Sequence, residues 1–227
     1  MSSKTASSAT AAQPRSSGAP SKDRSSPALL DVRDLSVEYV TGGGPVRAVD
    51  GVSFSIAPGE VFGLAGESGC GKSTIAHAIM RVLRPPALIT GGHIFFNGDD
   101  VLEMGLDELE EFRWRDVSMV FQSAMNSLNP VMRVGDQIAD VLIKHNALHQ
   151  REARARAAEL LDIVGIERRR LDSYPHELSG GMRQRAVIAI ALALNPALMI
   201  MDEPTTALDV VVQKDIMQQI EQLKQAM

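Results

Sequence analysis

A glycine-rich stretch, GESGCGKST at residues 66–74, has the residue types and spacing needed to bind a phosphate chain. Its glycines let the backbone curl so that several N–H groups converge on one anion, and Lys72 places an ammonium on the outer phosphates. Ser73 offers a hydroxyl to Mg²⁺, and the helix predicted to follow adds its positive N-terminal end. We therefore predict a nucleoside-triphosphate site rather than a chance glycine turn. The loop residues expected to line the nucleotide are Gly66, Glu67, Ser68, Gly69, Cys70, Gly71, Lys72, Ser73 and Thr74.

Cys70 is the single cysteine of the chain and lies inside this loop. One interpretation is a redox sensor, since the positive field of the loop could lower the pKa of the thiol. We favour a small residue that fits a tight turn. A single cysteine excludes an intramolecular disulfide, which fits a reducing, cytoplasmic compartment.

Two adjacent acids end the apolar run LMIMDEP at residues 198–204. An apolar strand delivers an acid at its C-terminal tip, where Asp202 is well placed to hold Mg²⁺ through water. Glu203 can orient or deprotonate the attacking water and is the candidate catalytic base. The alternative is that Asp-Glu-Pro simply caps a strand before a turn, and the phosphate loop upstream weakens it.

A second candidate anion site lies in LSGGMRQR at residues 178–185. Ser179 offers a hydroxyl, Gly180 and Gly181 offer exposed N–H groups, and a predicted helix stands behind them. The chain therefore carries two phosphate-binding patterns about a hundred residues apart, a separation that needs an explanation.

The segments that must position these groups alternate between strand and helix patterns. Strands are predicted at 29–40 and 48–60, on either side of the turn TGGGP. The short apolar run 61–66 predicts a strand buried on both faces. Further strands are predicted at 91–98, 117–122 and 197–201. Helical periodicity marks 72–83, 134–148, 150–166, the stretch after LSGG to about Leu194, and 210–226. This order predicts an α/β sheet with phosphate chemistry at the C-terminal ends of its strands, and a helical insertion at about 130–176.

Composition excludes several classes of protein. Residues 1–27 are rich in Ser, Ala and Pro and predict a disordered tail. The net charge of −5 argues against broad electrostatic binding of nucleic acid. The most apolar stretch, 186–201, is interrupted by Asn195-Pro196 and is shorter than the roughly 18 to 20 residues that a membrane span requires, so it predicts a buried helix leading into a buried strand.

The order of the motifs resembles that of ATP-binding subunits of ABC transporters. It runs from the phosphate loop to a Gln in VFQ, then LSGGMRQR, LMIMDEP and TTALD, and covers about residues 29–227. The resemblance implies a P-loop NTPase fold over 28–227, with an α/β RecA-like core, an antiparallel β subdomain and a helical subdomain at about 123–180. The family has a further strand and a switch His beyond the last helix. This chain stops at Met227, 24 residues after Glu203, with no His after His176, so we expect it to be a fragment.

The resemblance also implies roles for individual residues. Tyr39 resembles the aromatic that stacks on adenine, with a structural aromatic as the alternative. Gln122 resembles the glutamine that contacts Mg²⁺ or the water and reports to membrane subunits. Asp209 resembles an aspartate that couples two ATPase subunits, and Thr206 stands where the family usually has Ser. Ser179, Gly180 and Gly181 would cap the γ-phosphate held by the loop of a second subunit, which would explain the two anion sites.

The stretch MVFQSAMNSLNPVMRVGDQI at 119–138, above all SLNP, resembles the peptide/nickel importer group. That group implies ATP and Mg²⁺ as cofactors and a second ATPase subunit, identical or different. It also implies two transmembrane permeases, an extracellular solute-binding protein acting indirectly, no nucleic acid, and a place on the cytoplasmic side of the cell membrane. The cargo would be a peptide, nickel or an oligosaccharide. The alternatives are a non-transport ABC ATPase and an inactive nucleotide-binding fragment.

Two further patterns predict little function. His145 and His149 are four residues apart and could chelate a metal, but a solvated helix face is the simpler interpretation. The run ERRR at 167–170 is expected to face solvent or to contact membrane subunits.

Overall fold

The computed structural model describes residues 28–121 and 127–203. Its strands are β1 Leu30–Thr41, β2 Gly44–Ile56, β3 Ala87–Phe96, β4 Asp99–Asp100, β5 Val117–Val120 and β6 Leu198–Met201. Its α-helices are α1 Lys72–Ile79, α2 Leu106–Glu111, α3 Val134–Asn146, α4 Gln150–Ile163 and α5 Gly180–Leu192. A π-helical turn covers Phe112–Asp116, and 3₁₀ turns cover Arg168–Asp172 and Pro175–Glu177.

Four of the strands form an antiparallel sheet in the order β2-β1-β3-β4. β1 and β2 make the predicted hairpin, with Thr41 paired to Gly44 at its tip. Alternation places Leu30 and Val32, and then Leu35 and Val37, in the core, because successive side chains of a strand point to opposite faces. An irregularity in the pairing between Val32 and Leu35 brings the second pair back to the same face. The antiparallel β subdomain expected from the family resemblance is therefore present.

The other two strands, β5 and β6, are parallel and pair from Val117↔Leu198 to Val120↔Met201. The pairing continues one step further, since the amide of Asp202 donates to the carbonyl of Val120 at 2.9 Å. The C-terminal ends of both strands therefore meet at one edge, where Asp202 lies. β6 itself is half-buried rather than buried as predicted, because it pairs on one side only among the described strands.

The strand predicted at 61–66 is wrong for the described structure. These residues form no strand, and Val61, Phe62 and Leu64 are 66%, 41% and 44% exposed. An apolar run becomes a strand only when a neighbouring backbone pairs with it, and no described strand does so here. The apolar pattern of residues 61–66 does not indicate whether a strand pairs with them.

Two hydrophobic cores carry these elements. The sheet core includes Leu35 and Ile94 of the antiparallel sheet, Ile75 of α1, Phe112 of the π-helical turn and Val117 of β5. The helical core joins the buried faces of the three later helices around Ile138, Leu142, Leu160, Leu161 and Ile188. The amphipathic patterns of α3 and α4 and the buried helix α5 are thus confirmed.

All four predicted helices within the described residues end earlier than expected, α3 at Asn146 instead of 148 and α4 at Ile163 instead of 166. α1 stops at Ile79 instead of about residue 83, because Arg81 adopts a left-handed backbone with φ 49°. α5 stops at Leu192 instead of about Leu194, and Asn195 is left-handed with φ 54°. Left-handed residues commonly terminate helices. Within the described ranges, no helix has the length and apolar character that crossing a bilayer requires.

Candidate nucleotide site

The glycine-rich loop leads directly into α1, and its geometry at the junction depends on Gly71. Gly71 has φ +95°, and a Cβ there would lie 2.5 Å from the carbonyl oxygen of Ala48 in β2. Only glycine combines this left-handed backbone with so close an approach. The end of the loop is therefore seated against the antiparallel sheet, and α1 begins at Lys72 with its free N–H groups toward the loop.

The ammonium of Lys72 lies within the loop. Its Nζ donates to the carbonyl oxygens of Gly66 at 2.9 Å and Glu67 at 2.7 Å, and it lies 3.6 Å from Sγ of Cys70. An ammonium has three N–H donors, so two are engaged with the loop backbone and the third faces the thiol. The loop thus holds its cation in a defined place beside the exposed Cys70.

Two of the three predicted magnesium ligands, Ser73 and Asp202, are in contact. Ser73 Oγ, in the first turn of α1, donates to Asp202 Oδ1 at 2.9 Å, and Asp202 is 8% exposed. A hydroxyl and a carboxylate are hard oxygen ligands, and Mg²⁺ in nucleotide sites uses one or two such groups together with phosphates and water. The donor set therefore fits Mg²⁺ and lies at the start of α1, next to the loop.

Glu203 follows Asp202 and is exposed, with a left-handed backbone of φ 47°. For a residue other than glycine this conformation costs on the order of 1 to 2 kcal/mol. Such strained positions concentrate at functional sites. The backbone turns sharply between the two acids, so that the first is buried against Ser73 and the second faces solvent.

Tyr39 lies beside the start of α1. Its hydroxyl is 3.3 Å from Oγ1 of the buried Thr74, and the ring is half-buried on β1. This contact ties the antiparallel sheet to the phosphate loop. This contact is a structural role, which is the alternative interpretation given for Tyr39 above. Stacking of Tyr39 on adenine stays a prediction.

The second candidate anion site is the N-terminus of α5. Ser179 is the N-cap residue, and its Oγ accepts a hydrogen bond from the amide of Met182 at 3.3 Å. A serine cap stabilises a helix by about 1 kcal/mol. Ser179 is exposed and Leu178 is buried in the helical core, whereas α1 packs in the sheet core. The two helices that begin at the predicted anion sites therefore belong to different cores.

The SLNP segment is fixed by a residue that sequence reasoning missed. Gln137 of α3 accepts from the amide of Asn129 at 2.9 Å and donates to the carbonyls of Asn129 and Met132, each at 3.0 Å. Leu128 is buried in the helical core. The sequence shows Gln137 only as one polar residue of an amphipathic helix. The partners of its side chain are backbone atoms, and no residue pattern specifies such partners.

His145 of α3 and His149, which precedes α4 as its N-cap, have different surroundings. His149 is exposed, as predicted for a solvated face, but His145 is half-buried and stacks on Trp114 with ring centroids 4.3 Å apart. Burial is the main cause that lowers the pKa of His145, and the neighbouring Lys144 adds to it. The solvated-face interpretation is therefore wrong for His145, because Trp114 reaches it from the π-helical turn.

The ERRR run faces solvent, as expected. Arg168 pairs with Asp162, and Arg169 pairs with Glu167. Several predicted features lie outside the described residues: Gln122, Thr206 and Asp209, the tail at 1–27 and the helix at 210–226.

A glycine-rich loop seated before a helix, with a serine and a strand-end aspartate beside it, defines the class of P-loop proteins. The family model described as ABC transporter matches residues 49–206, which is more than half of the chain. This chain therefore belongs to the ABC transporter family.

Curated relatives and solved structures agree with that assignment. The chain is 47% identical over 199 residues to the oligopeptide transport ATP-binding protein OppD of Bacillus subtilis, covering 86% of this chain and 56% of that protein. It is 44% identical to the dipeptide transport ATP-binding protein DppD of the same organism, covering 86% and 59%. The chain thus spans between half and two thirds of the lengths of these two relatives.

Among solved structures, the ATP-binding cassette MJ0796 bound to ADP and Pi is similar with a TM-score of 0.75 at 31% identity, covering 86% of this chain and 83% of that one. A dimeric structure of MJ0796, described as a bacterial ABC transporter cassette, gives a TM-score of 0.76 at 31% identity, covering 87% and 84%. The ABC ATPase fold expected from the sequence is confirmed by these likenesses.

Proposed function

We propose that this chain is an ATP-binding and ATP-hydrolysing subunit that powers the import of peptides through a membrane permease. The observation that carries the proposal is the contact between Ser73 and Asp202, which brings the phosphate loop and the strand-end carboxylate to one place. The names of OppD and DppD, relatives at 47% and 44% identity, support peptides as the cargo class rather than nickel or oligosaccharides.

In this proposal each residue of the site has a defined task. The loop 66–74 and the N-terminus of α1 cradle the phosphates, and Lys72 neutralises the outer ones. Ser73 and Asp202 would hold Mg²⁺, which supplies charge neutralisation for the phosphates when it is bound. Glu203, exposed next to the metal-side carboxylate, accepts a proton from the attacking water. From the family resemblance, Gln122 would contact Mg²⁺ or the attacking water.

The position of the signature supports action between subunits. Ser179, Gly180 and Gly181 lie at the N-terminus of α5 in the helical core, while α1, the helix that follows the loop, packs in the sheet core. We propose that they cap the γ-phosphate bound by a second ATPase subunit, with Asp209 coupling the two. ATP then closes the pair, and opening after hydrolysis is passed to two permeases on the cytoplasmic side of the membrane.

Co-purification tests this proposal. The chain carrying an affinity tag, expressed in its native host, should recover two polytopic membrane proteins and ATPase activity that a solute-binding protein with bound peptide stimulates. The matched control is Lys72→Ala, which should recover the same permeases without activity. Recovery of ribosomes or DNA instead of permeases would contradict the transport role and favour a non-transport ABC ATPase.

A further inference from the structure

The segment that leads to the signature lies on the N-terminus of α3. The amide of Val134 donates to the carbonyl of Ser173 at 2.9 Å. Gly135 faces Leu171 so closely that a Cβ on the glycine would lie 2.4 Å from Cδ1 and 2.7 Å from the carbonyl oxygen of Leu171. The backbone of the 3₁₀ turn Arg168–Asp172 is therefore in direct contact with α3, which leaves no room for a side chain between them.

Four side chains of alternating charge form ion pairs beside this contact, namely Arg133, Asp136, Arg154 and Asp172, and we call them the charge group. Asp172 Oδ1 accepts hydrogen bonds from Arg133 at 3.0 Å and from Arg154 of α4 at 2.6 Å. Arg154 also pairs with Asp136 in the first turn of α3. The hydrogen bond from Arg154, followed by that from Arg133, lowers the pKa of Asp172, so that its charge persists well below neutral pH. Asp172 thereby joins α3, α4 and the 3₁₀ turn through one carboxylate.

A short series of contacts connects Asp172 to the signature. The guanidinium of Arg133 lies 5.9 Å from the ring centroid of Tyr174. The amide of Tyr174 donates to Glu177 Oε2 at 2.6 Å, and the amide of Leu178 donates to the carbonyl of Pro175 at 3.2 Å. Leu178 is buried, and Ser179 follows it as the cap of α5. These contacts connect the charge group to the cap of α5.

The exposure of these charges argues against a role in overall stability. The side chains of Asp172 and Arg133 are 58% and 46% exposed, and pairs this accessible to water contribute little to the free energy of unfolding. A planar guanidinium bound to a carboxylate nevertheless fixes direction, because its donors form a rigid fork. The group is therefore suited to orienting a segment rather than to holding the fold together.

We propose that Asp172, held by Arg133 and Arg154, is a positioning residue that orients the signature segment 178–181 toward the nucleotide of the partner ATPase. This inference rests on the proposed function, since it assigns a task within the same composite site. In this proposal, the packing of α3 and α4 in the helical core sets the angle at which Ser179 meets the γ-phosphate.

Asp172→Asn tests the inference, because asparagine keeps the shape and removes the charge. In the purified chain without nucleotide, we expect faster hydrogen exchange at the amides of residues 173–182, including Met182. Hydrolysis is measured on the chain co-purified with its permeases. There we expect kcat to fall about tenfold while the ATP affinity of the loop and the thermal midpoint stay close to wild type. Asp172→Glu should recover part of the lost rate.

Glu159→Gln is the matched control. Glu159 pairs with Arg156 on α4 at 2.7 Å with similar exposure, and both lie on α4 outside the charge group, so exchange and kcat should be unchanged. Unchanged exchange in Asp172→Asn, or equal losses of kcat, ATP affinity and thermal midpoint, would overturn the positioning role. If wild type itself neither binds nor hydrolyses ATP, the proposed function fails, whereas the exchange result still reports on positioning separately.

Discussion

Ser73 Oγ donates a hydrogen bond to Asp202 Oδ1 across 2.9 Å, although the two residues are 129 positions apart. One belongs to the helix that follows the phosphate loop, and the other follows the parallel strand β6. The contact forms because the amide of Asp202 extends the pairing of β5 and β6 by one step to Val120. It places two oxygen ligands suited to Mg²⁺ at the N-terminus of α1.

Removing either ligand should remove the contribution of magnesium to nucleotide affinity. In Ser73→Ala and Asp202→Asn, we expect ATP affinity in Mg²⁺ to drop to about the value that wild type shows in EDTA, because the metal loses an oxygen ligand. Calorimetric titration with and without Mg²⁺ measures this difference. Ser53→Ala is the control, since Ser53 makes a similar 3.1 Å bond to Asp34 in the antiparallel sheet. A variant that keeps the full magnesium effect would refute the assignment.

Gly71 should tolerate substitution less well than Gly69. Both have left-handed backbones, with φ +95° and +80°, but only at Gly71 would a Cβ meet a backbone oxygen, at 2.5 Å. Gly69→Ala should cost roughly 1 kcal/mol of unfolding free energy from backbone strain alone, and Gly71→Ala about 1 to 3 kcal/mol more. Urea denaturation of the two variants checks the order. Equal losses would show that the loop does not rest on β2.

Alkylation of Cys70 should block ATP binding. The thiol is exposed and lies 3.6 Å from the ammonium of Lys72, so a bulky adduct would occupy the space that the phosphates need. We expect modified wild type to lose ATP affinity, whereas Cys70→Ala treated with the same reagent keeps it. Prior saturation with ATP should slow the modification. Full ATP affinity after complete alkylation would exclude this placement of the thiol.

The stack of His145 on Trp114 should respond to pH. Burial lowers the pKa of His145 below the usual value of about 6.5, so as pH falls the unfolded chain binds its proton before the folded chain does. This residue therefore contributes stability above that pH, and the contribution is lost as pH falls toward the folded pKa. Glu110 and Asp140 oppose the shift, whereas Lys144 and Arg115 reinforce it.

Trp114 is the single tryptophan of the chain, so its fluorescence reports this contact directly. We expect emission to change with a midpoint below pH 6.5 in wild type and not in His145→Phe, which keeps an aromatic ring without a titrating group. Unfolding experiments at two pH values should show a smaller acid loss of stability in the same variant. A midpoint at or above 6.5 would contradict the buried environment.

The sequence predicted best what is local. The β1–β2 hairpin, the amphipathic helices α3 and α4, and the helix after LSGG follow from residue spacing within one element. The phosphate loop was recognisable because its backbone geometry demands glycines and a lysine at set positions. Ser73 and Asp202 were each assigned to Mg²⁺ from their own motif, but the hydrogen bond between them joins segments 129 positions apart, and no pattern within either segment specifies the other.

What the sequence did not predict depends on distant partners. The run at 61–66 has the composition of a buried strand, yet Val61 is 66% exposed because no described strand pairs with this segment. His145 was assigned to solvent because Trp114, which covers it, is 31 positions earlier in the chain. The charge group around Asp172 joins residues 18 and 39 positions apart, a separation at which no periodic pattern indicates contact.

The central claim is that the loop at 66–74 binds the phosphates of ATP, and calorimetric titration of wild type and Lys72→Ala with MgATP tests it most directly. Because a charge-assisted hydrogen bond contributes about 1.5 to 3 kcal/mol, we predict that Lys72→Ala loses roughly 10- to 100-fold in affinity. Arg84→Ala, which removes an exposed cation after α1, should bind like wild type. Equal affinity of Lys72→Ala and wild type for MgATP would contradict the account.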